Sequence, residues 1–310
     1  MQWGNIKTLF ILCFLILDVY LLFQFLERQD QADLNLIGSQ EQSIEDQLES
    51  ENITMENINL NVSEESYISA AQREFSTEGQ RELAGLEGQE SVVISDNYIV
   101  SLLDEPISIS EDATADEISS LVTPHILAPE SYTYWDWNTE HNVLIFFQTN
   151  DDRPIYFNQS AVMLGFLNDQ NELVFLSQTM LAEAESQEEQ QPLIEPIRAA
   201  GILYTQNQLF SEDHISSMNL GYFTRVPLQD GVQVFAPTYN VVVNGERNYF
   251  VNAIEGVPSP SEANRFLQDS IDLAITNVQT LSNDQELKEP VLNLLEAKQQ
   301  QPEENRSEIE

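Results

Sequence analysis

The longest apolar stretch of the chain lies near its beginning, where residues 8–26 read TLFILCFLILDVYLLFQFL. A helix of this length rises about 1.5 Å per residue and therefore spans roughly the 30 Å of a bilayer's hydrocarbon core. A cleaved signal peptide is the alternative, but its apolar run is usually shorter and ends at a small-residue site, whereas the polar residues 27–30 follow here. The pattern predicts a retained transmembrane helix at residues 8–26.

The charges that flank this span predict its orientation. Lys7 and the α-amino group precede the span, whereas three of the four charged residues within 27–33 are acidic. Because cytoplasmic flanks carry the excess of positive charge, residues 1–7 are expected in the cytoplasm and residues 27–310 outside it. The sequence thus predicts a single-pass protein of the cell membrane, with nearly all of its mass extracytoplasmic.

Three polar residues interrupt the span. Asp18 lies near its middle, where a carboxylate costs about 2.5–3.5 kcal/mol on insertion scales and is expected to be protonated, hydrated or paired with another helix. Tyr20 and Gln24 are four residues apart and share one helix face. We interpret Asp18, Tyr20 and Gln24 as candidate contacts with partner helices, a tolerated misfit at Asp18 being the alternative.

Beyond the span, the polar residues 27–40 are typical of a juxtamembrane linker, and residues 41–257 alternate between strand and helix patterns. Short helices are predicted at 43–48, 77–86 and 113–122, the last one capped by residues 110–112. Strands are predicted at 67–75, 91–93, 98–103, 132–137, 143–149, 154–157, 162–167 and 173–178. Turn signals at Asp96-Asn97 and at 168–171 indicate two hairpins among them.

The second half of this region gives the strongest local prediction. Residues 195–206 fit a helix, and three β-rich segments follow at 218–226, 232–243 and 248–255. Asn244-Gly245 lies between the last two, and Asn-Gly is the strongest short hairpin signal. We therefore predict an α+β fold in which the transmembrane helix is followed by antiparallel sheets with a few helices. The charged stretch 183–191 divides this domain into candidate lobes at 41–182 and 192–257.

The last part of the chain is expected to contain less structure. Pro258 to Pro260 are predicted to end the preceding sheet. Residues 261–281 carry apolar positions at helical spacing, which predicts an amphipathic helix with one side formed by Phe266, Leu267, Ile271, Ala274 and Val278. Since the sequence ends in QQQPEENRSEIE, residues 258–310 are predicted to form one helix and a disordered acidic tail.

The amino-acid composition narrows the range of possible functions. Asp and Glu number 52 against 12 Lys and Arg, a net charge of −40 that repels phosphate backbones and disfavours nucleic-acid binding. The only lysines beyond the span are Lys288 and Lys298, and such negative charge suits an exported protein in high salt or at high pH. Cys13 in the span is the only cysteine, so the exported part has neither disulfides nor Cys-based metal sites.

The sequence contains no recognisable catalytic, cofactor-binding or metal-binding motif. His125, His141 and His214 form neither an HExxH nor a His-x-x-x-His pair, and surface or interface roles are the preferred interpretation. The numerous acidic pairs have no diagnostic value for glycoside hydrolysis. We therefore predict no catalytic residue, no cofactor and no metal.

Two further sets of residues, the aspartates of predicted turns and the aromatic residues of one predicted strand, have both a structural and a functional interpretation. Asp151-Asp152 and Asp230 lie in predicted turns, where Asp bonds the local backbone more often than it binds Ca²⁺. Aromatic residues alternate between the two faces of one predicted strand, with Tyr132 and Tyr134 on one face and Trp135 and Trp137 on the other. They could line a groove, but packing on both faces is preferred.

Three segments carry a resemblance to a known family. The opening MQWGNIKTLFILCFLILDVYLLFQF, QVFAPTYNVVVNG at 233–245 and YFVNAIEG at 249–256 resemble the YycI proteins of Gram-positive bacteria. The resemblance covers residues 1–257, and residues 258–310 look like an extension. It implies an α+β fold related to part of YycH, in a membrane-anchored extracytoplasmic regulator.

The resemblance also implies partners. These are the sensor histidine kinase WalK (YycG), which controls cell-wall metabolism together with WalR (YycF), and a YycH-like protein, with transmembrane helices taking part in the contact. The residues themselves are also compatible with a protein of another functional class, either an anchored wall-active hydrolase or a ligand-binding receptor. A hydrolase requires converging acids or a metal in a cleft, and a receptor requires an apolar cavity with a few oriented polar groups.

Overall fold

The computed structural model describes residues 37–304 except 57, 59–61, 187–188, 225–230, 260–262 and 284. Nearer the N-terminus it describes Lys7, Leu12, Phe14, Leu15 and residues 17–20, all in helical backbone. Most of the predicted span 8–26 lies outside these residues, so the transmembrane helix stays a prediction. Of the helices that the structure describes, none is both long and apolar enough to cross a membrane.

The described part of the chain is a mixed α+β fold. Its helices are α1 (Ile37–Ser50), α2 (Thr77–Leu83), α3 (Ala115–Val122), α4 (Pro196–Thr205), α5 (Ala263–Gln279) and α6 (Lys288–Glu304). The helices predicted at 43–48, 77–86, 113–122, 195–206 and 261–281 are confirmed. Helix α1 begins at Ile37, inside the stretch 27–40 that was predicted to be a linker.

The strands are shorter and more numerous than the helices. They are β1 (Thr54–Met55), β2 (Glu64–Glu65), β3 (Ile68–Ala71), β4 (Gln89–Ile94), β5 (Tyr98–Ser108), β6 (Tyr132–Asn138), β7 (Val143–Asn150), β8 (Arg153–Tyr156), β9 (Val162–Leu167), β10 (Glu172–Gln178), β11 (Glu185–Ser186), β12 (Gln191–Pro192), β13 (His214–Phe223), β14 (Val232–Val243), β15 (Arg247–Asn252) and β16 (Pro258–Ser259). Each predicted strand segment contains an observed strand, although the segment predicted at 67–75 is a strand only at Ile68–Ala71 and residues 225–226 of the segment 218–226 lie outside the described residues.

Fourteen of these strands belong to one sheet. Its main path is β11-β3-β14-β13-β8-β7-β9-β10-β5-β4, with β1 beside β13, β6 beside β7, β15 beside β14 and β16 beside β15. Strand β13 pairs in parallel with β1 and β8, and the other pairs are antiparallel. The predicted α+β class with mainly antiparallel sheet is therefore confirmed.

The predicted hairpins form where local turn chemistry favours them. Between β4 and β5, Ser95 and Asp96 have φ values of +50° and +64°, and between β14 and β15, Asn244 and Gly245 have +55° and +74°. Two consecutive residues with positive φ match the right-handed twist of paired strands. Strands β13, β14 and β15 consequently form the predicted antiparallel meander.

Strands β7 and β9 are buried on both faces of the sheet. On one face Leu144 and Phe146 pack with helix α3 through Ile118 and Val122. On the other face alternate residues of β7, such as Phe147, pack with helices α5 and α6. A strand covered on both sides has no polar face, which explains the continuous apolar sequences of β7 and β9.

The meander β13–β15 is covered by α4, and α1 packs in turn on α4. Leu48 of α1 is 4% exposed and belongs to the same cluster as Ala200 and Leu203 of α4. Gly201 permits this approach, because an added Cβ would lie 2.8 Å from Cγ2 of Ile44 on α1. The helix nearest the predicted span is thereby fixed to the folded domain.

The two parts of the sheet meet where β8 pairs with β13. Tyr222 is in register with Ile155, and Phe223 with Tyr156. The preceding residue, Gly221, faces this junction: a Cβ there would lie 2.5 Å from the carbonyl oxygen of Pro154. Only glycine allows the two backbones to approach this closely.

The C-terminal part of the chain departs from two predictions. Strand β16 pairs with β15, so Pro258 and Ser259 continue the sheet that they were predicted to end. The disordered tail predicted after residue 281 is wrong for residues 288–304, which form α6. Leu287, Val291 and Leu295 recur every four residues and are fully buried in the same cluster as α5. Their burial compensates for the polar composition of this helix.

Candidate functional site

The predicted interaction residues of the span are described only in part. Asp18 and Tyr20 lie in helical backbone with exposed side chains, whereas Gln24 lies outside the described residues. Around Asp18, the large apolar side chains are exposed by 49–59%: Leu12, Phe14, Leu15, Leu17 and Val19. An exposed apolar helix surface of this kind marks a surface that binds lipid or another protein.

The histidines have separate local partners. His125 Nδ1 is 2.9 Å from Gln89 Oε1, and partial burial lowers the pKa of His125. His214 Nδ1 is 2.8 Å from Thr54 Oγ1, at the start of β13. His141 is buried in the β6–β7 connection. Within the part of the chain that the structure describes, no three His, Cys, Asp or Glu side chains converge as metal ligands would.

The acidic pair Asp151-Asp152 forms the turn between β7 and β8. The two residues have φ values of +48° and +61°, as a tight hairpin turn requires. Their role in the backbone turn is therefore confirmed. Asp230 lies outside the described residues.

The aromatic residues of β6 pack on both faces of the sheet, as preferred from the sequence. Trp135 lies 5.3 Å from the ring of Tyr156 and 5.4 Å from that of Phe147. A register shift between Tyr134 and Asp136 places Trp137 on the same face as Tyr134. The predicted placement of Trp137 beside Trp135 is wrong, because a β-bulge breaks the alternation.

A surface cluster at one end of the meander has the composition of a protein-binding site. We call Phe210, Asp213, Arg247 and Tyr249 the Phe210 patch. The Arg247 guanidinium carbon lies 5.6 Å from the ring centre of Phe210 and 5.9 Å from that of Tyr249. Phe210 is nevertheless 58% exposed. Aromatic and Arg side chains dominate the binding energy of protein interfaces.

Asp213 holds Arg247 in place. The Asp213 carboxylate forms an ion pair with Arg247 and accepts hydrogen bonds from the Phe210 amide and the Asn244 side chain, each at 2.8 Å. Burial acts to raise the pKa of Asp213, but the bonds from Arg247, Phe210 and Asn244 outweigh it and keep the pKa below its usual value. The arginine is therefore oriented before any partner arrives.

The patch is also connected to α1. The Glu212 amide donates to the carbonyl oxygen of Glu51, at 2.9 Å, and the Ser211 hydroxyl donates to the Glu51 carboxylate. Glu51 directly follows α1. The sequence does not reveal the patch, because the side chains come from two segments more than thirty residues apart. The only local signal is the acidic pair before His214.

A cavity of about 230 Å³ lies between β3, β7 and the segment 180–184. Arg73, Gln148 and Asn150 line it together with apolar residues. Both amide atoms of Gln148 bond to the backbone of Leu181, and Arg73 Nη1 donates to Met180 Sδ. The cavity is smaller than the roughly 300–1,000 Å³ typical of ligand pockets and is not mainly apolar.

Comparison with known proteins assigns the family. Residues 31–254 match the family described as YycI protein. No curated protein matches the chain. A crystal structure of an uncharacterized protein from Eubacterium rectale is similar at 11% identity and a TM-score of 0.37, covering 68% of this chain and 89% of that one. Since the match spans most of its length, the chain belongs to the YycI family, the regulatory accessory proteins of the YycG/WalK system.

Proposed function

We propose that the protein is a single-pass membrane protein that binds the YycG/WalK sensor kinase and a YycH-like partner. The match of residues 31–254 to the YycI family carries this proposal. Binding regulates the kinase by stabilising one of its signalling states, since a partner shifts an equilibrium only if it binds one state better. Family membership supports a regulator over an anchored wall-active hydrolase or a ligand-binding receptor.

The transmembrane helix is the first proposed contact. A carboxyl group among exposed apolar side chains is stabilised when a neighbouring helix supplies a hydrogen-bond partner. Asp18 has the required position, in helical backbone with Leu17 and Val19 exposed beside it. The cytoplasmic N-terminus and the extracytoplasmic domain of this proposal follow from the charge flanking the span.

The connection between span and domain is short. Only residues 27–36 separate the predicted span from α1, a reach of at most about 36 Å. Because α1 is packed on α4 through Leu48, a shift of the transmembrane helix acts on the folded domain. This arrangement supports coupling between contacts in the membrane and contacts outside it.

We expect Asp18→Leu to weaken association with the kinase by about 5- to 30-fold, the equivalent of one interhelical hydrogen bond of roughly 1–2 kcal/mol. Asp18→Asn keeps a hydrogen-bonding group and is expected to retain most of the association. Val19→Leu is the control for a neighbouring change without loss of a polar group. The measurement is co-purification of the kinase from membranes, with crosslinking from positions 13–24 to identify the partner. If Asp18→Leu retains the kinase as wild type does, Asp18 is not a contact.

The Phe210 patch is the proposed contact outside the membrane. Phe210→Ala is expected to weaken binding to the extracytoplasmic part of the kinase or of the YycH-like protein by about 30-fold or more, the effect of losing an interface hot spot of roughly 2 kcal/mol. Because Phe210 is 58% exposed, thermal stability should not change. Leu121→Ala on α3, at a side chain 36% exposed, is the matched control. If the affinity of Phe210→Ala for both partners is unchanged, the Phe210 patch is not the contact.

A further inference from the structure

Helices α5 and α6 form a hairpin that lies outside the family match, which ends at residue 254. The hairpin nevertheless completes the main hydrophobic cluster. Leu267 of α5 and Leu295 of α6 are fully buried there with Phe147 and Phe250 of the sheet. The docking of this hairpin therefore decides whether one face of the sheet is covered.

The two lysines beyond Lys7 both lie in α6. Lys288 Nζ, at the start of the helix, donates to the carbonyl oxygen of Gln279 at 3.1 Å, to that of Leu281, and to Asn283 Oδ1 at 3.0 Å. These acceptors lie at the end of α5 and in the connection after it. Lys288 thus closes the hairpin on itself, and its side chain is partly buried with Nζ bonded to three acceptors.

Lys298, ten residues further along α6, has a different environment. Its side chain is 2% exposed, and Nζ has no hydrogen-bond partner among the described residues. Burial lowers the pKa of Lys298, and Asp169 in the β9–β10 turn acts in the opposite direction. A buried lysine without a bonded acceptor opposes the docking of α6 whenever it is charged.

His141 is a second buried group with an unused nitrogen. It is 1% exposed, and Nε2 has no partner in the described part of the chain. Asn138 Oδ1 accepts from the His141 amide at 2.9 Å and lies 3.1 Å from His141 Nδ1. Because an amide oxygen only accepts, Nδ1 carries the proton and Nε2 of the neutral ring is a free acceptor.

The two groups act on each other electrostatically. Burial lowers the pKa of His141, Glu140 opposes this effect, and the positive charge of Lys298 lowers the pKa further. Neither Lys298 Nζ nor His141 Nε2 has a hydrogen-bond partner among the described residues, so each buried group is accommodated best in its neutral form. Two protonated groups place two positive charges in one buried region.

We propose that Lys298 and His141 form a proton-sensitive latch, a pair of buried groups whose protonation loosens the α5–α6 hairpin from the sheet. Both groups bind protons more weakly when the hairpin is docked than when it is free. Docking is therefore tightest at alkaline pH. Docking weakens as the pH falls from 10.5, the ordinary pKa of lysine, to the lower pKa of docked Lys298. It weakens again as the pH falls from 6.5, the ordinary pKa of histidine, to the lower pKa of docked His141. The latch senses external pH only if the domain is extracytoplasmic, which rests on the proposed function.

Hydrogen exchange of the α6 amides in the full-length protein in detergent micelles tests the latch between pH 5 and pH 10. After correction for intrinsic exchange, wild-type protection is expected to fall as the pH falls, by up to about tenfold per pH unit inside a titration window. Lys298→Met, which has a similar shape and no charge, should raise protection at neutral pH and remove the dependence above pH 7. His141→Gln should remove the dependence below pH 6.5.

Lys288→Met is the matched control on the same helix. It removes the hydrogen-bonded lysine and should lower α6 protection at every pH without changing the pH dependence. The latch is overturned if Lys298→Met shows the wild-type pH dependence, or if its α6 helix is less protected than wild type at neutral pH. Since the measurement requires no kinase, its result is independent of whether the proposed partners are correct.

Discussion

A chain truncated after Val257 is expected to lose cooperative folding of its α+β domain. The truncation removes α5, α6 and the connection between them, whose buried apolar side chains are Phe266, Leu267, Ile271, Ala274, Ile275, Val278, Leu287, Val291 and Leu295. Each large apolar side chain contributes about 1.5–3 kcal/mol when fully buried, so the loss exceeds about 10 kcal/mol. The net stability of a folded domain is only about 5–15 kcal/mol.

Thermal unfolding and size-exclusion chromatography of the full-length and truncated proteins in detergent measure this effect. The truncated protein should unfold without a cooperative transition and aggregate, because one face of β5, β7, β9 and β10 becomes exposed. A chain that ends at Glu304 is the control, since it keeps all of α6. A truncated protein with a wild-type transition would show that the hairpin is dispensable to the core.

Gly221→Ala is expected to lower the melting temperature by roughly 6–12 °C, the equivalent of about 3 kcal/mol in a domain of this size. An added Cβ would lie 2.4 Å from Cε2 of Tyr156 and 2.5 Å from the carbonyl oxygen of Pro154. Tyr156 cannot move aside, because its ring lies 5.0 Å from that of Phe250 and 5.3 Å from that of Trp135. The pairing of β8 with β13 must open instead.

Gly79→Ala in α2 is the matched glycine control. An added Cβ there lies 3.9 Å from the nearest atoms, which belong to Phe75, and alanine stabilises a helix relative to glycine by up to about 1 kcal/mol. The melting temperature of Gly79→Ala should therefore equal or exceed that of wild type. Equal melting temperatures for Gly221→Ala and Gly79→Ala would show that the β8–β13 junction adjusts without cost.

Much of the fold is predictable because local chemistry decides it. Asn244-Gly245 adopts two positive φ values with little strain, and this sets the β14–β15 hairpin. The apolar stripe of α5 is also visible in the sequence, and all five residues assigned to it are buried. In both cases, interactions between residues close together in the sequence determine the structure.

Errors arose where contacts between distant segments decide the structure. Helix α6 is rich in Gln and Glu, yet Leu287, Val291 and Leu295 stabilise it by packing against a sheet formed more than a hundred residues earlier. Trp137 lies on the face opposite to the predicted one, because a β-bulge in the pairing of β6 with β7 shifts the register before it. Neither partner is identifiable from the spacing of apolar residues alone.

The candidate sites also differ in whether the sequence or the tertiary structure identifies them. The sequence alone identifies Asp18, because the cost of a carboxylate in an apolar span depends only on its neighbours along the helix. The Phe210 patch depends on the β14–β15 hairpin, which brings Arg247 beside Asp213. The sequence also shows how rare lysine is, but only the packing of α6 distinguishes buried Lys298 from partly buried, hydrogen-bonded Lys288.

The sequence by itself therefore determined the local elements, the excess of negative charge, the family resemblance and the position of the candidate span. The tertiary structure decided which faces are covered, which aromatic side chains stay exposed and which titratable groups are buried. The physical reason is that turn and helix preferences act over a few residues, whereas burial depends on surfaces joined by the parallel pairing of β8 with β13 and by the docking of α5 and α6.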